Sequence, residues 1–236
     1  MIKFFRKIRQ NLLMENKTGK YFKYAIGEII LVVIGILIAL QLNSLQQDKT
    51  NDKTEIRYVS NLISELERDS TGLKNTYQIA IQKIRSKVIL LDLIDNERQE
   101  DSLTFHFNET IFPFYEYTPL KSTYTEMISN GNLGIIKPNV QRKNIIEFYS
   151  SMDEFITTEK LLFSQGTLLV EEMRKRVPSF LEPKKEDILS LKNDFYAINK
   201  LESNGAITRA ASYKDMLEKT STILAELKNY QKEILK

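Results

Sequence analysis

The 236-residue chain has no cysteine and no tryptophan, a single histidine, eight glycines and five prolines. Each scarcity removes a class of function. Without cysteine there is no disulfide framework, no thiol nucleophile and no cysteine-based zinc or iron–sulfur centre. With His106 as the one imidazole, neither a histidine-based triad nor a multi-histidine metal site can be assembled from ordinary parts. Set among aromatic residues, His106 reads as a packed or surface histidine. Few glycines leave no phosphate-cradling loop or dinucleotide fingerprint, and the stretch around Gly131 and Gly134 is only superficially glycine-rich. Carboxylate pairs such as Glu65/Glu67 and Glu171/Glu172 read as solvated helix faces compensated by local Lys and Arg, not as tuned acid/base pairs. Few helix breakers beside abundant Leu, Ile, Lys and Glu favour an all-α chain.

Long apolar runs are equally scarce, with one exception. Ala25 to Leu42 is almost continuously apolar. A helix rises about 1.5 Å per residue, so about 20 apolar residues cross a hydrocarbon core of ~30 Å. Tyr21, Phe22 and Tyr24 extend the run with rings suited to the headgroup level. The segment before it carries Lys3, Arg6, Lys7, Arg9, Lys17, Lys20 and Lys23 against Glu15, while the far flank opens neutrally with Gln41, Asn43, Ser44, Gln46 and Gln47. By the positive-inside rule the N-terminus is expected in the cytoplasm and the remainder outside the bilayer. A cleaved signal peptide would have a shorter apolar region and a small-residue cleavage site. Ala39 is followed by Leu40 and Gln41 with no matching small residue, so an uncleaved anchor is the expectation.

The expected organisation is a basic leader over 1–24, a transmembrane helix over 25–43 and an extracytoplasmic domain over 44–236, on a cytoplasmic (inner) membrane. Within the span, Glu28 sits one turn in. It reads either as an interfacial carboxylate or as a group that meets a partner helix. Gly27, Gly35 and Ala39 fall at multiples of four, and this stripe, bounded by Ala25 and Leu42, permits close helix approach. A homo-oligomer is therefore one expected partner, beside the lipid bilayer and a membrane or periplasmic protein. The basic pI belongs to the leader and suits anionic headgroups. The exterior part is close to neutral and slightly acidic, so nucleic acid is not an expected partner. No cofactor is expected.

Outside the span, apolar spacings of three and four predict an antiparallel helical bundle with long helices. Ile56, Val59, Ile63, Leu66, Leu73, Tyr77, Ala80, Ile84, Val88 and Leu91 mark one long helix, its pattern broken near Ser70, Thr71 and Gly72. The polar stretch 48–54 before it is solvated helix or a hinge, and 95–101 ends it. Leu103 to Pro119 is aromatic-dense, with Phe105, Phe107, Phe112, Phe114, Tyr115 and Tyr117, and its prolines predict short pieces folded over one end of the bundle. These rings serve packing, or with Asn130 and Gly131 they form a ligand or partner surface. A short helix over 123–129 should close at Asn130-Gly131, where glycine supplies the left-handed conformation. Asn139 should cap the next helix after Pro138, running to Val177-Pro178. A shorter helix follows Pro183, and the last runs from Ile207 to the end. The long Ile56 helix should pack against the helix from Asn139 and the C-terminal helix.

Ile8-Arg9-Gln10, Leu13, Glu15-Asn16-Lys17, Lys20-Tyr21, Tyr24-Ala-Ile-Gly-Glu-Ile30, Leu31 to Gln41 and Asn43 resemble the opening of a family of membrane-anchored bacterial proteins of unknown function. A second, looser likeness covers Thr123-Tyr124, Ser129-Asn130-Gly131-Asn132-Leu133, Ile136, Arg142 and Tyr149. The family's aromatic just beyond the span is absent, Ser44-Leu45 standing there, which weakens the outer interfacial anchor. The resemblance implies a single-span protein with a helical exterior domain and transfers no catalytic residue. On residues and resemblance together, a tethered binding or scaffolding module is the expectation, not an enzyme. A sensory bundle acting through a separate transducer is the alternative, with a hydrolase behind it.

Overall fold

A computed structural model describes residues 18–112 and 117–236. Among them there are helices and turns and no strand. The helices are α1 (Thr18–Asp95), α2 (Leu103–Ile111), α3 (Ser122–Ser129), α4 (Asn139–Arg174), α5 (Lys185–Ser190), α6 (Phe195–Glu202) and α7 (Ala206–Ile234), with 3-10 turns at Asn132–Ile135 and Leu191–Asn193. Pro119, Pro138, Pro178 and Pro183 all fall between helices, as the lost N–H and ring clash of proline require. Pro113 lies outside the described residues, as do the leader residues before Thr18.

The chain divides into two units, Met1–Thr54 and Glu55–Lys236. In the first, α1 carries a segment of mean hydropathy 2.6, long and apolar enough by length and composition to cross a membrane. Ile26, Ile29 to Ile34, Ile36 to Ile38, Leu40 and Leu42 are all exposed along it. Gly35 and Ala39 are exposed, Ala25 and Glu28 half-exposed, and a methyl group added at Gly27 or Gly35 would touch nothing. Residues 48–54 are helical. Thr50 and Thr54 donate their hydroxyls to the carbonyls of Gln46 and Thr50, and Gln47 donates to Asn51 one turn on.

In the second unit α1, α4 and α7 form the frame around two apolar cores. Tyr58, Leu62 and Leu66 of α1 pack with Ile145, Tyr149 and Met152 of α4 and Tyr213, Met216 and Leu227 of α7. Further along, Leu90, Leu93 and Ile94 of α1 pack with Phe107 of α2, Met173 of α4 and Leu201 of α6. The order of these contacts fixes direction. Early α1 meets early α4 and late α7, so α7 runs antiparallel to both while α4 runs with α1. The expected antiparallel arrangement therefore holds for α7 only. Residues 103–112 and 117–137 lie back along α1 before α4 begins, which makes the α1/α4 pair parallel.

Two local expectations are corrected and one is explained. The apolar pattern falters at Ser70–Gly72, and the one long helix expected there runs through it. A Cβ on Gly72 would come within 2.6 Å of a Tyr117 ring atom, so glycine is there to admit a side chain and not to break a helix. Asn139 does not cap α4: Pro138 holds that place, and the Asn139 side chain accepts from Arg142 at 3.2 Å. The helix after Pro183 is two helices, because Asp194 caps a new start by accepting from the Ala197 N–H at 2.9 Å.

Candidate functional site

The expected recognition end is the aromatic stretch 103–119, which contains α2, together with the Asn130-Gly131 turn. Its construction begins on α1, which presents three buried carboxylates, Glu55, Glu65 and Asp69. Each accepts a backbone N–H from residues 117–137, the strap that carries α3 and its turn. Asp69 accepts from Leu120 N–H at 3.0 Å and from the Tyr117 hydroxyl at 2.8 Å. Glu65 accepts from Thr123 N–H at 3.1 Å, the Thr123 hydroxyl at 2.8 Å and the Ser122 hydroxyl. Lys121, at the cap position of α3, makes no capping bond. Glu65 fills that role from another helix, its charge facing the positive end of the α3 dipole. Glu55 accepts from Lys137 N–H at 2.7 Å and from the Tyr230 hydroxyl of α7.

The strap closes with further bonds. Asn132 donates to the Tyr58 hydroxyl at 2.9 Å, and Tyr58 donates to Glu126 at 3.0 Å. Arg142 donates to the Ile136 carbonyl at 2.7 Å. Tyr124 stacks on Tyr149 with ring centroids 4.1 Å apart and planes 9° from parallel. Gly131 has φ 67°, the left-handed turn expected after α3. Burial holds the Asp69 carboxyl above its usual value, and the Glu65 charge adds to this; the bonds from Leu120 and Tyr117 and the Arg68 charge oppose it. Burial likewise raises the Tyr117, Tyr149 and Tyr213 hydroxyls.

Lysines on α1 do the converse at the other core. Lys83 donates to the carbonyls of Glu109 at 2.7 Å and Phe112 at 3.2 Å, at the C-terminus of α2. Lys87 donates to the Glu202 carbonyl at 2.8 Å, where α6 ends. Cations at helix C-termini satisfy carbonyls that have no partner within the helix. Burial lowers both lysines below their usual value. Inside the bundle, Arg209 of α7 donates to Glu159 of α4 at 3.1 Å, and the Tyr213 hydroxyl donates to the same carboxylate at 2.7 Å.

The aromatic residues divide. Phe107 is fully buried in the second core, whereas Phe105 is 59% and Phe112 42% exposed. Tyr117 is half-buried between Phe155 and Tyr213, at 6.4 and 6.2 Å. Phe114 and Tyr115 lie outside the described residues. Asn130 and Gly131 are exposed. Phe112 stacks edge-on against Phe180 at 5.9 Å, Arg174 lies over the Phe180 ring at 5.7 Å, and Leu181 beside it is 96% exposed. This apolar surface joins the end of α2 to the loop after α4. Leu181 and Phe180 went unmarked in the sequence because no periodicity runs through a loop. Glu65, read there as a solvated carboxylate, is buried, while Glu67 is the exposed partner of Lys228 at 2.6 Å.

His106 Nδ1 lies 3.3 Å from Ser86 Oγ, but Ser86 is a buried residue in mid-helix, far from the exposed turn a nucleophile occupies. A cavity of about 20 Å³ lies among Lys83, Phe112, Asn204 and Arg209, room for one water on the usual scale of ~10–15 Å³ per probe sphere. A groove of about 410 Å³ between α4 and α7 is rimmed by Glu147, Asp215, Glu218 and Glu226. Its acids are matched locally: Lys143 lies 3.4 Å from Glu147, Lys219 2.9 Å from Asp215, and Asn144 donates to Glu226.

A family model described as a family of unknown function, DUF6090, matches residues 28–165, from the apolar segment through the strap into α4. No curated protein and no solved structure matches the chain.

Proposed function

Because the chain belongs to DUF6090, a family of unknown function, its membership carries no reaction, and we propose that it is a membrane-tethered helical module that binds or scaffolds a protein partner. The tether is the apolar part of α1, and the positive-inside rule puts the basic leader in the cytoplasm and the Glu55–Lys236 unit outside. The observation that carries the reading is the exposed pair Phe112 and Leu181 on either side of the half-buried Phe180, whose ring lies under Arg174. A bundle with two packed cores has no folding reason to leave Leu181 at 96% exposure beside two phenylalanines. Aromatic residues and arginine dominate the binding energy of protein interfaces, and contiguous exposed apolar surface marks such sites. The buried carboxylates and lysines are already engaged in holding the strap and the helix ends, which favours a binding role over catalysis.

In-cell crosslinking of the C-terminally tagged chain, followed by mass spectrometry, tests this directly. One recurrent partner whose crosslinks disappear in a Phe112→Ala/Leu181→Ala variant supports the reading. The variant should retain wild-type helicity, since exposed substitutions typically shift stability by about 0.5 kcal/mol or less. Crosslinks to the chain itself alone would replace the partner with a homo-oligomer. Unchanged crosslinks in the variant would remove this surface from consideration.

A further inference from the structure

Glu65 and Asp69 lie one turn apart on α1, both buried, and neither has a cation within ion-pair distance among the described residues. Every donor on them comes from the strap: Tyr117, Leu120, Ser122 and Thr123. Facing them from α4 is the Tyr149 hydroxyl, buried and without a hydrogen-bond partner, and close enough to be influenced by both carboxylates. Among the described residues, the other titratable groups around the pair are Arg68 on α1, Tyr117, Lys121 and Tyr124 on the strap, Asp153 on α4 and Tyr213 on α7. Arg68 is exposed, and the Lys121 ammonium is taken by Asp153. Two like charges buried one turn apart with no counter-ion disfavour joint ionisation.

We propose that Asp69, buried one turn from Glu65 with no counter-ion, takes up a proton in the closed state, and that this proton sets how tightly the 117–137 strap is closed on α1. With the proton bound, one charge fewer is buried beside Glu65, and the strap's N–H and hydroxyl donors remain satisfied by carboxyl oxygens. When the proton leaves to solvent, the second charge must be accommodated, and opening of the strap admits the water that solvates it. The raised Asp69 carboxyl agrees in sign. A group protonated more readily in the closed state makes closure strongest at low pH and weakens it as pH rises through the closed-state value. The exterior unit thus contains a proton-responsive clasp, independent of the Phe112–Leu181 surface.

The test is hydrogen exchange with mass-spectrometric readout on the full chain in detergent, from pH 4 to 8, corrected for intrinsic exchange chemistry. Peptides from 117–137 report the strap, and peptides from 213–230 of α7 serve as reference. In wild type the strap opening equilibrium should rise by up to about tenfold per pH unit above the ordinary aspartate value of ~3.9 and then level off. Asp69→Asn, which keeps an acceptor for Leu120 and Tyr117, should flatten the profile. A merely structural role would lower protection equally at every pH. A wild-type profile flat within about twofold, or an undiminished slope in Asp69→Asn, overturns the proposal. Should Asp69→Asn not fold, Glu65→Gln is read in the same way, and a flat wild-type profile is decisive without either. Strap exchange that follows the α7 reference at every pH likewise overturns it.

Discussion

Replacing Gly72 with alanine sets two effects against each other. Gly72 lies inside α1, where alanine is favoured over glycine by about 1 kcal/mol from backbone entropy alone. On helix propensity the substitution should stabilise. The added methyl, however, would sit 2.6 Å from Tyr117 Cε2, 3.0 Å from its hydroxyl oxygen and 3.2 Å from Cζ. The ring has little room to yield, being held by Phe155, Tyr213 and the bond to Asp69. Overpacking of this kind costs about 1–3 kcal/mol. If the ring swings out instead, it forfeits the bond to the buried Asp69, about 1–1.5 kcal/mol, together with its own burial. Subtracting the propensity gain leaves Gly72→Ala destabilising by up to about 2 kcal/mol. The assay is denaturant unfolding followed by circular dichroism, in wild type and in a Tyr117→Ala background. With the ring gone, Gly72→Ala should change sign and stabilise by about 1 kcal/mol. Stabilisation in the wild-type background, or the same loss in both, would refute the reasoning.

Arg209→Met should cost about 3–5 kcal/mol by leaving the fully buried Glu159 carboxylate with only the Tyr213 hydroxyl. Adding Glu159→Gln should recover part of that loss, and thermal melts of both variants check it. Gly205→Ala forces φ 76° on a residue with a Cβ, which would also lie 3.0 Å from Leu162 Cδ2; a loss of about 1 kcal/mol or more is expected by the same assay. Lys87→Met removes the donor to the Glu202 carbonyl and Asn204. Protection from exchange should fall selectively in 195–204, and equal loss in α3 would contradict a local capping role.

The candidate site was legible in part. The α3 stop at Gly131 was readable because a left-handed turn is a local demand that glycine meets at little cost. The inward Phe107 and outward Phe105 could not be told apart, since α2 is short and its buried side is set by α1, α4 and α5 around it. Asp194 looked like any charged residue in a loop until its side chain was seen accepting from Ala197.

By itself the sequence determined the all-helical chain, the apolar run near its start, and most helix limits. Periodicity, proline and glycine act over a few residues, so their message is complete within a short window. Tertiary structure decided which charges are buried, and why α1 runs through Gly72. Glu65 and Glu67 stand two residues apart in one charged stretch, yet one is locked to the strap while the other faces water beside Lys228. The partners that make the difference lie 48 residues from Asp69, 82 from Glu55 along the strap, and 175 from Glu55 in α7. A carboxylate is stable in the interior only where donors converge on it, and that convergence exists only once the chain has folded back on itself.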